Sequence, residues 1–421
     1  MPANFKLNRQ ERKIVSLAAL GGMLEFYDFI IYGIFSVYFA HQFFPAQNAL
    51  LTIIESYVVF VLGYIARPFG GILFSHVGDE HGRKKVLIIT IILMGASSLG
   101  IGVLPTYDTI GIAAPIGLLL LRLLQGIALG GELPSTYVYI SETMPSKRGS
   151  GFGLTMVGVN AGLLLGMFIN QLLNLIYNPQ QLTAFGWRIP FIFGGALCII
   201  SYKIRKTLQE TAEFNRIHDK PEFPLLYLFK HHFITTISGM LMTAIMSGLV
   251  VTAIIFMPTY LHQILGVDNQ RISKLMPVVM GLNLLAIFYA GKIANYTPPA
   301  KICRNLLLSS IILVPLSYWL ISHGFITLGV AILCILEGIA AMIIPLLVSS
   351  LFPTKIRLTG VAMSYNLGFT LFGGLAPIII SSAIKSGSNA YTTPSYYLLG
   401  IIVIAAIGLI YARKHSQIKI D

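Results

Sequence analysis

Charge is what this chain has least of. Only 11% of its 421 residues are Asp, Glu, Lys or Arg, where a soluble domain spends about a quarter. Acids are the scarcer sign, 16 against 29 Lys and Arg. So little charge cannot cover a 46.1 kDa globule, which excludes a soluble, disordered or secreted protein. Cysteine is nearly absent too. Cys198, Cys303 and Cys334 lie far apart, in or at the edge of apolar segments. They form no disulfide framework, metal set or redox motif and read as small core residues. The chain has no His-Glu-Xaa-Xaa-His pair, no Gly-Xaa-Ser-Xaa-Gly elbow and no phosphate-binding Gly-Xaa-Xaa-Xaa-Xaa-Gly-Lys-Ser/Thr loop, so nothing supports an intramembrane enzyme or an ATP-driven pump. The nine histidines are scattered; His231 and His232 sit at a helix end, where an electrostatic role suffices.

What is present is apolar. Hydrophobic residues make up 55% of the chain and the mean hydropathy is +0.78. Cut into stretches of roughly 20, they make about a dozen bilayer-spanning helices. Apolar windows between polar or Pro/Gly-marked turns predict spans at 14–40, 51–75, 86–104, 112–141, 150–174, 187–207, 231–260, 272–291, 303–321, 326–350, 358–383 and 394–412. The fifth, eighth and tenth are rich in Gly and Pro, which a helix bundle tolerates. The basic start MPANFKLNRQERKIVSLAAL runs into a stretch that carries Glu25 and Asp28, and it reads as an uncleaved first span.

The net charge of +13 needs no nucleic-acid partner. Most Lys and Arg fall at the N-terminus, in the loops after spans two, four, six, eight and ten, and at the C-terminus, while the opposite loops hold few. That bias predicts both termini in the cytoplasm. The charged stretch 208–229 divides the chain into an N-terminal bundle, 1–207, and a C-terminal bundle, 230–421. An internal repeat supports the division. LLQGIALGG (123–131) returns as ILEGIAAMI (335–343), and MPSKRGSG (144–151) as FPTKIRLTG (352–360). The offset is about 210 residues, half the chain, and duplicated halves mark one large transporter architecture.

Ionisable groups inside apolar spans are the informative residues, since each costs roughly 2.5–3.5 kcal/mol at a helix centre. They are Glu25, Asp28, Glu55, Arg67, Arg122, Glu132 and Glu337. Glu25, Asp28 and Tyr32 share one helix face; Gln125, Glu132 and Tyr139 share another, with Arg122 one turn beyond. A carboxylate near a guanidinium in a cavity suits a group that binds and releases a proton as geometry changes. Asp28 with Arg122 is the favoured proton-coupling pair, followed by Glu132 and Glu25, with helix cross-bracing as the competing reading. Glu55 is placed near the outer surface. Glu337 aligns with Gln125 in the repeat, so it is either a packing group or a site.

At GGILFSHVGDEHGRKKVL (70–87) the residues themselves indicate a tight Gly-assisted turn with topology-setting charge. The same stretch resembles the Gly-Xaa-Xaa-Xaa-Asp-Arg-Xaa-Gly-Arg-Lys loop of the major facilitator superfamily. Arg122, Gln125 and Gly126 match its Arg-Xaa-Xaa-Gln-Gly motif. LEFYDFIIYG (24–33), RPFGG (67–71), GGELPSTYVYISETMPSKRGSGFG (130–153), GWRIPF (186–191) and FPTKIRLTGVAMSYN…FGG (352–374) resemble the metabolite:H+ symporter branch, with its proline/betaine, citrate, shikimate and 2-oxoglutarate permeases. The resemblance implies an all-α polytopic membrane protein with the major facilitator fold, 12 transmembrane helices in two six-helix bundles around a central cavity. It implies alternating access, with Asp79 and Arg83 as cytoplasmic gate residues and Glu142 and Arg148 as their charge partners. Ser75 and Glu80 depart from the loop pattern, the C-terminal copy has decayed to GKIANYTPPAK (291–301), and the long coiled coil of osmosensing members is not in the sequence.

Candidate substrate-binding residues are Arg67, Tyr32, Tyr64, Gln125, Asn160, Gln171, Tyr260, Asn283, Glu337, Tyr365 and Asn366, with Tyr27 and Phe369 also expected to face inward. Arg67 stands roughly 16 Å along its helix from the Gly78 turn and suits bidentate capture of a carboxylate. The expected function is a proton-coupled symporter that imports a small organic acid or zwitterion, acting as a monomer in the bacterial inner membrane. No cofactor is expected beyond the proton as coupling ion, no metal, and no partner beyond substrate and lipid bilayer. The alternative is a proton-driven exporter; an intramembrane enzyme or a non-transporting sensor stands further behind.

Overall fold

The structure, a computed structural model, describes residues 7–44, 49–217 and 221–415, with backbone alone at 29, 49–58, 60 and 61; Glu55 therefore lies outside the described side chains. The long helices in chain order are α1 (Arg9–Phe43), α2 (Ala49–His81), α3 (Arg83–Val103), α4 (Ala113–Thr143), α5 (Arg148–Ile176), α6 (Arg188–Arg205), α7 (Phe233–Ile255), α8 (Asn269–Ile293), α9 (Pro299–Ser322), α10 (Ile326–Ser349), α11 (Thr354–Lys385) and α12 (Thr393–His415). Among the described residues ten of these, all but α2 and α6, are long and apolar enough to cross a bilayer. The segment Pro179–Gly186 joined to α6 across a 45° bend makes an eleventh. Every described element is helical. Several helices run past their apolar windows, because polar flanking residues sustain a helix after the hydrocarbon-compatible stretch has ended.

Two compact units emerge. The N unit comprises Ser16–Thr136 and Gly158–Glu210; the C unit comprises Met1–Val15, Tyr137–Val157 and Thr211–Asp421. The adjoining ends of α4 and α5 cluster with the C unit.

Lipid tails are as apolar as leucine, so association within each unit relies on close backbone approach at small residues. In the N unit Gly126 and Gly130 put α4 against α2: a Cβ on either would collide with the carbonyl of Gly63 or Arg67. Gly158, Gly162 and Gly166 do the same for α5 against α1. α3 packs along α6, and Arg188 anchors the end of α3 by donating to the carbonyls of Leu104 (2.8 Å) and Gly102 (3.0 Å). That explains the Arg of the GWRIPF stretch, whose Trp187 is buried among Phe39, Phe43 and Phe191. In the C unit α7 packs on α10, α11 and α12, and α10 on α8 and α9. Gly338 brings α10 to α8, where an added Cβ would stand 2.7 Å from the Asn283 carbonyl.

Candidate functional site

In the N unit the helix packing brings α1, α3, α4 and α6 together around one carboxyl. Asp28 is buried, and Ser98 of α3 donates to its Oδ2 at 2.5 Å. Gln125 of α4 donates to the Ser98 hydroxyl at 2.9 Å, and Arg122 donates to the Gln125 carbonyl at 2.8 Å. The Arg122 guanidinium lies 4.0 Å over the Tyr32 ring. Gly194 of α6 leaves room for the other Asp28 oxygen, Oδ1, which has no hydrogen-bond partner; a Cβ there would stand 2.5 Å away. Asp28 and Arg122, expected as the proton-coupling pair, are joined through Ser98 and Gln125. Each link accepts from one neighbour and donates to the next, so a change of charge at one end is felt along the line.

A second group of charges lies beside this relay. Glu132 of α4 is buried and gripped by both guanidinium nitrogens of Arg205, one at 2.9 Å, while the Thr90 hydroxyl also donates to it. Arg205 donates in addition to the Leu87 carbonyl at 2.8 Å, and Gly21 of α1 gives it space. Glu25 differs from both acids. It is 1% exposed, and neither of its carboxylate oxygens has a hydrogen-bond partner among the described residues; the charges within electrostatic reach are Glu132, Arg67 and Arg205. Arg67 stacks 5.4 Å over Tyr64. Of the other N-unit candidates, Asn160 and Tyr27 are buried, and the Tyr27 hydroxyl donates to the Pro190 carbonyl at 2.9 Å. Gln171 is exposed near the end of α5.

The signature loop occupies the α2–α3 junction. Asp79 pairs with Arg83 at 3.3 Å, both fully buried, and Arg83 donates to the Gly78 carbonyl at 2.8 Å. Between them Gly82 has φ +106°, and the Glu210 carboxylate stands where a Cβ would project. Glycine is thus required twice over. Glu210 also accepts from the Lys84 amide at 3.0 Å and so caps the N-terminus of α3. The atypical Glu80 faces solvent beside His76 and His81, a pairing worth little.

In the C unit, Glu142 accepts from Arg357 at 3.2 Å and from the Thr211 hydroxyl at 2.6 Å. Arg357 also pairs with Glu213 at 2.8 Å, and Thr354 donates to Glu213 at 3.3 Å. Arg148 donates to the Ser141 carbonyl at 3.2 Å and forms no ion pair within 4 Å among the described residues. His232, where the helix Pro224–His231 meets α7, is held below the usual imidazole range by burial and by the neighbouring His231 and Lys355.

Farther along the C unit, Asn283 of α8 donates to Glu337 of α10 and to the Cys334 carbonyl at 2.8 Å. Tyr365 and Asn366 are buried in α11, and the Tyr365 ring lies 5.4 Å from Tyr137 and 4.7 Å from Phe369. Tyr260, expected to face inward, instead spends its hydroxyl on the Ala390 carbonyl at 2.8 Å. The residues that sequence reading missed are Ser98, Thr90, Arg205, Arg357, Thr211, Glu213 and Glu210. In sequence Arg205 and Arg357 are basic residues at span ends, indistinguishable from topology-setting charge, and a lone serine in an apolar helix carries no distinguishing pattern.

Comparison with known proteins places this geometry. Residues 18–377 match the sequence model of the Major Facilitator Superfamily. A Staphylococcus haemolyticus protein provisionally named a proline/betaine transporter is 34% identical, aligned over 96% of this chain and 89% of its own. The glycine betaine/proline/ectoine/pipecolic acid transporter OusA of Dickeya dadantii and the proline/betaine transporter of Salmonella typhimurium are each 30% identical, over 95% of this chain and 82% of theirs. Among solved structures, the proton:xylose symporter XylE bound to a bromodeoxyglucose superposes with a TM-score of 0.79 at 16% identity, over 98% of this chain and 97% of that one. XylE from E. coli in a partially occluded inward-open conformation superposes at 0.69, with 17% identity over 97% and 98% of the two chains. A fold shared over nearly the whole length, a family match over most of it and the buried charges on its helices lead to one conclusion: this chain is a multi-pass membrane transporter, not an enzyme, and belongs to the major facilitator superfamily.

Proposed function

We propose that the protein is a proton-coupled symporter that imports a small zwitterion, a molecule carrying both a carboxylate and a cationic nitrogen. The observation that carries the coupling is the buried line Asp28–Ser98–Gln125–Arg122. A carboxyl with one oxygen bonded and the other unpartnered can exchange a proton for little rearrangement, and the hydrogen-bonded line transmits the change to a guanidinium one helix away. Glu25 is the second candidate carrier of a proton, whereas Glu132, tied to Arg205, acts in this reading as a brace.

The substrate class follows from chemistry that the relatives' names share. Proline, glycine betaine, ectoine and pipecolic acid each combine a carboxylate with a cationic nitrogen. Arg67, buried and stacked on Tyr64, is the proposed receptor for the carboxylate. In the same reading the chain works by alternating access of its six-plus-six repeat, both termini are cytoplasmic, and Asp79, Arg83, Glu142 and Arg148 take part in closing the cytoplasmic side.

Proteoliposome uptake of labelled proline and glycine betaine under an imposed pH gradient tests the proposal. Wild-type protein accumulates substrate against its gradient when the outside is acidic. Asp28→Asn abolishes that accumulation and leaves substrate exchange intact. Unchanged uphill uptake removes Asp28 from the coupling role, and accumulation only with the gradient reversed makes the protein an exporter.

A further inference from the structure

Charge is distributed very unevenly after residue 232. Between 233 and 415 the chain has two carboxylates, Asp268 in a turn and Glu337 in α10, and each Lys and Arg lies within two turns of a helix end. Glu337 sits mid-helix, roughly 17 Å from either end of α10 at 1.5 Å per residue. It is 1% exposed, and no cation pairs with it among the described residues. Its partner is Asn283, whose amide nitrogen also faces the Cys334 carbonyl. Two acceptors around that nitrogen fix the amide's orientation. The Asn283 Oδ1 is consequently buried with no donor. A carboxylate and an amide oxygen thus lie together with lone pairs in excess and no positive charge to meet them, an arrangement that is costly in an apolar interior.

The internal repeat sharpens this. With LLQGIALGG laid on ILEGIAAMI, Gly338 corresponds to Gly126, Glu337 to Gln125 and Cys334 to Arg122. Gly126 meets the backbone of Gly63, which leaves space beside Arg122; Gly338 meets the backbone of Asn283, whose side chain fills that space and holds the acid. One helix crossing, used twice, carries a cation in the first half and an anion in the second.

We propose that Glu337 and Asn283 form the binding point for the cationic nitrogen of the transported zwitterion. The inference rests on the zwitterion reading above and deepens it. A secondary ammonium donates one N–H to the Glu337 carboxylate and the other to the Asn283 Oδ1. A quaternary ammonium sets its positively polarised methyl groups against the same oxygens. In either case the ligand supplies the positive charge that the surroundings of Glu337 lack.

The test separates the ammonium from the carboxylate. Thermal-shift binding is measured on the purified full-length protein with proline, glycine betaine, tetramethylammonium, and cyclopentanecarboxylate, which has the shape of proline without its nitrogen. Glu337→Gln is expected to raise the half-saturating proline and betaine concentrations at least ~10-fold, about 1.4 kcal/mol, and to abolish stabilisation by tetramethylammonium. Cyclopentanecarboxylate binding changes by less than about twofold, and Glu337→Asp recovers part of the loss. An unchanged elution profile and melting temperature show that Glu337→Gln is folded. If wild type and Glu337→Gln bind zwitterions equally, the inference is wrong while the substrate reading survives. If Glu337→Gln binds normally but loses only proton-driven accumulation, Glu337 is a proton carrier and the inference is again wrong. Wild type that binds tetramethylammonium through Glu337 but no zwitterion supports the cation site and overturns the substrate reading instead.

Discussion

Where α4 crosses α2, Gly126 lets two backbones touch, and Arg122 and Gln125 on the neighbouring turn reach through Ser98 to Asp28. Where α10 crosses α8, Gly338 makes a similar contact, yet the neighbouring turn carries Cys334 and Glu337. Of its buried acids the N unit pairs Glu132 with Arg205 and Asp79 with Arg83, links Asp28 to Arg122 through Ser98 and Gln125, and keeps Glu25 within electrostatic reach of Arg67 and Arg205. The spans of the C unit answer Glu337 with an uncharged asparagine. The difference teaches that a packing motif can be duplicated while its electrostatics diverge. Backbone approach is set by the absence of a Cβ, which is independent of the side chains one turn away.

The largest expected effect lies in the balanced unit. Arg205→Ala leaves Glu132 buried and uncompensated, a loss of about 3–5 kcal/mol, read as a sharp fall in detergent melting temperature and folded yield. Glu337→Gln orphans no counter-charge and changes the melting temperature little. Equal shifts for the two variants would break the comparison.

A smaller effect sharpens the functional side. Ser98→Ala removes the donor to Asp28 and the acceptor from Gln125. A hydrogen bond to a charged group is worth about 1.5–3 kcal/mol, so proton-driven initial uptake in proteoliposomes should drop tenfold or more while exchange continues. Unaltered accumulation would reduce the relay to a structural brace, and the two units would then differ in stability alone.

The smallest effect belongs to the C unit. Burial, His231 and Lys355 hold His232 below its ordinary range, so the unfolded chain takes up a proton there first as pH falls. Stability is therefore complete above about pH 6.5 and declines as pH drops from there toward the folded-state value. His232→Gln should flatten that decline by well under about 1 kcal/mol, measured as melting temperature against pH between 7 and 5; an unchanged slope assigns the pH response to another group.

Much of the site was legible because membrane burial makes charge conspicuous. Asp28, Glu25, Arg67, Arg122, Glu132 and Glu337 stand out in apolar windows, and the structure buries all six. Their partners were not legible. Ser98 and Thr90 are ordinary helix hydroxyls, and Arg205 closes an apolar span just as a topology-setting residue does. Gln171 and Tyr260 show what residue spacing leaves open. Both are polar and on long helical stretches, yet one is exposed and the other bonds a distant turn. Periodicity reports a helix face but not what occupies the space in front of it.

The sequence by itself determined that this chain lives in a bilayer as a set of helices. Too little charge leaves no other solvent for the surface, and a backbone in lipid satisfies its hydrogen bonds most readily within its own helix. It also shows two pairs of similar segments about half the chain apart, since a repeat is written directly in residue order. Only the tertiary structure decided which buried charges meet. Glu132 and Arg205 are 73 residues apart and bond because Gly21 leaves the guanidinium its place. Pairing at that separation depends on helix crossings set by the fit of many small residues at once, and no local pattern records that fit.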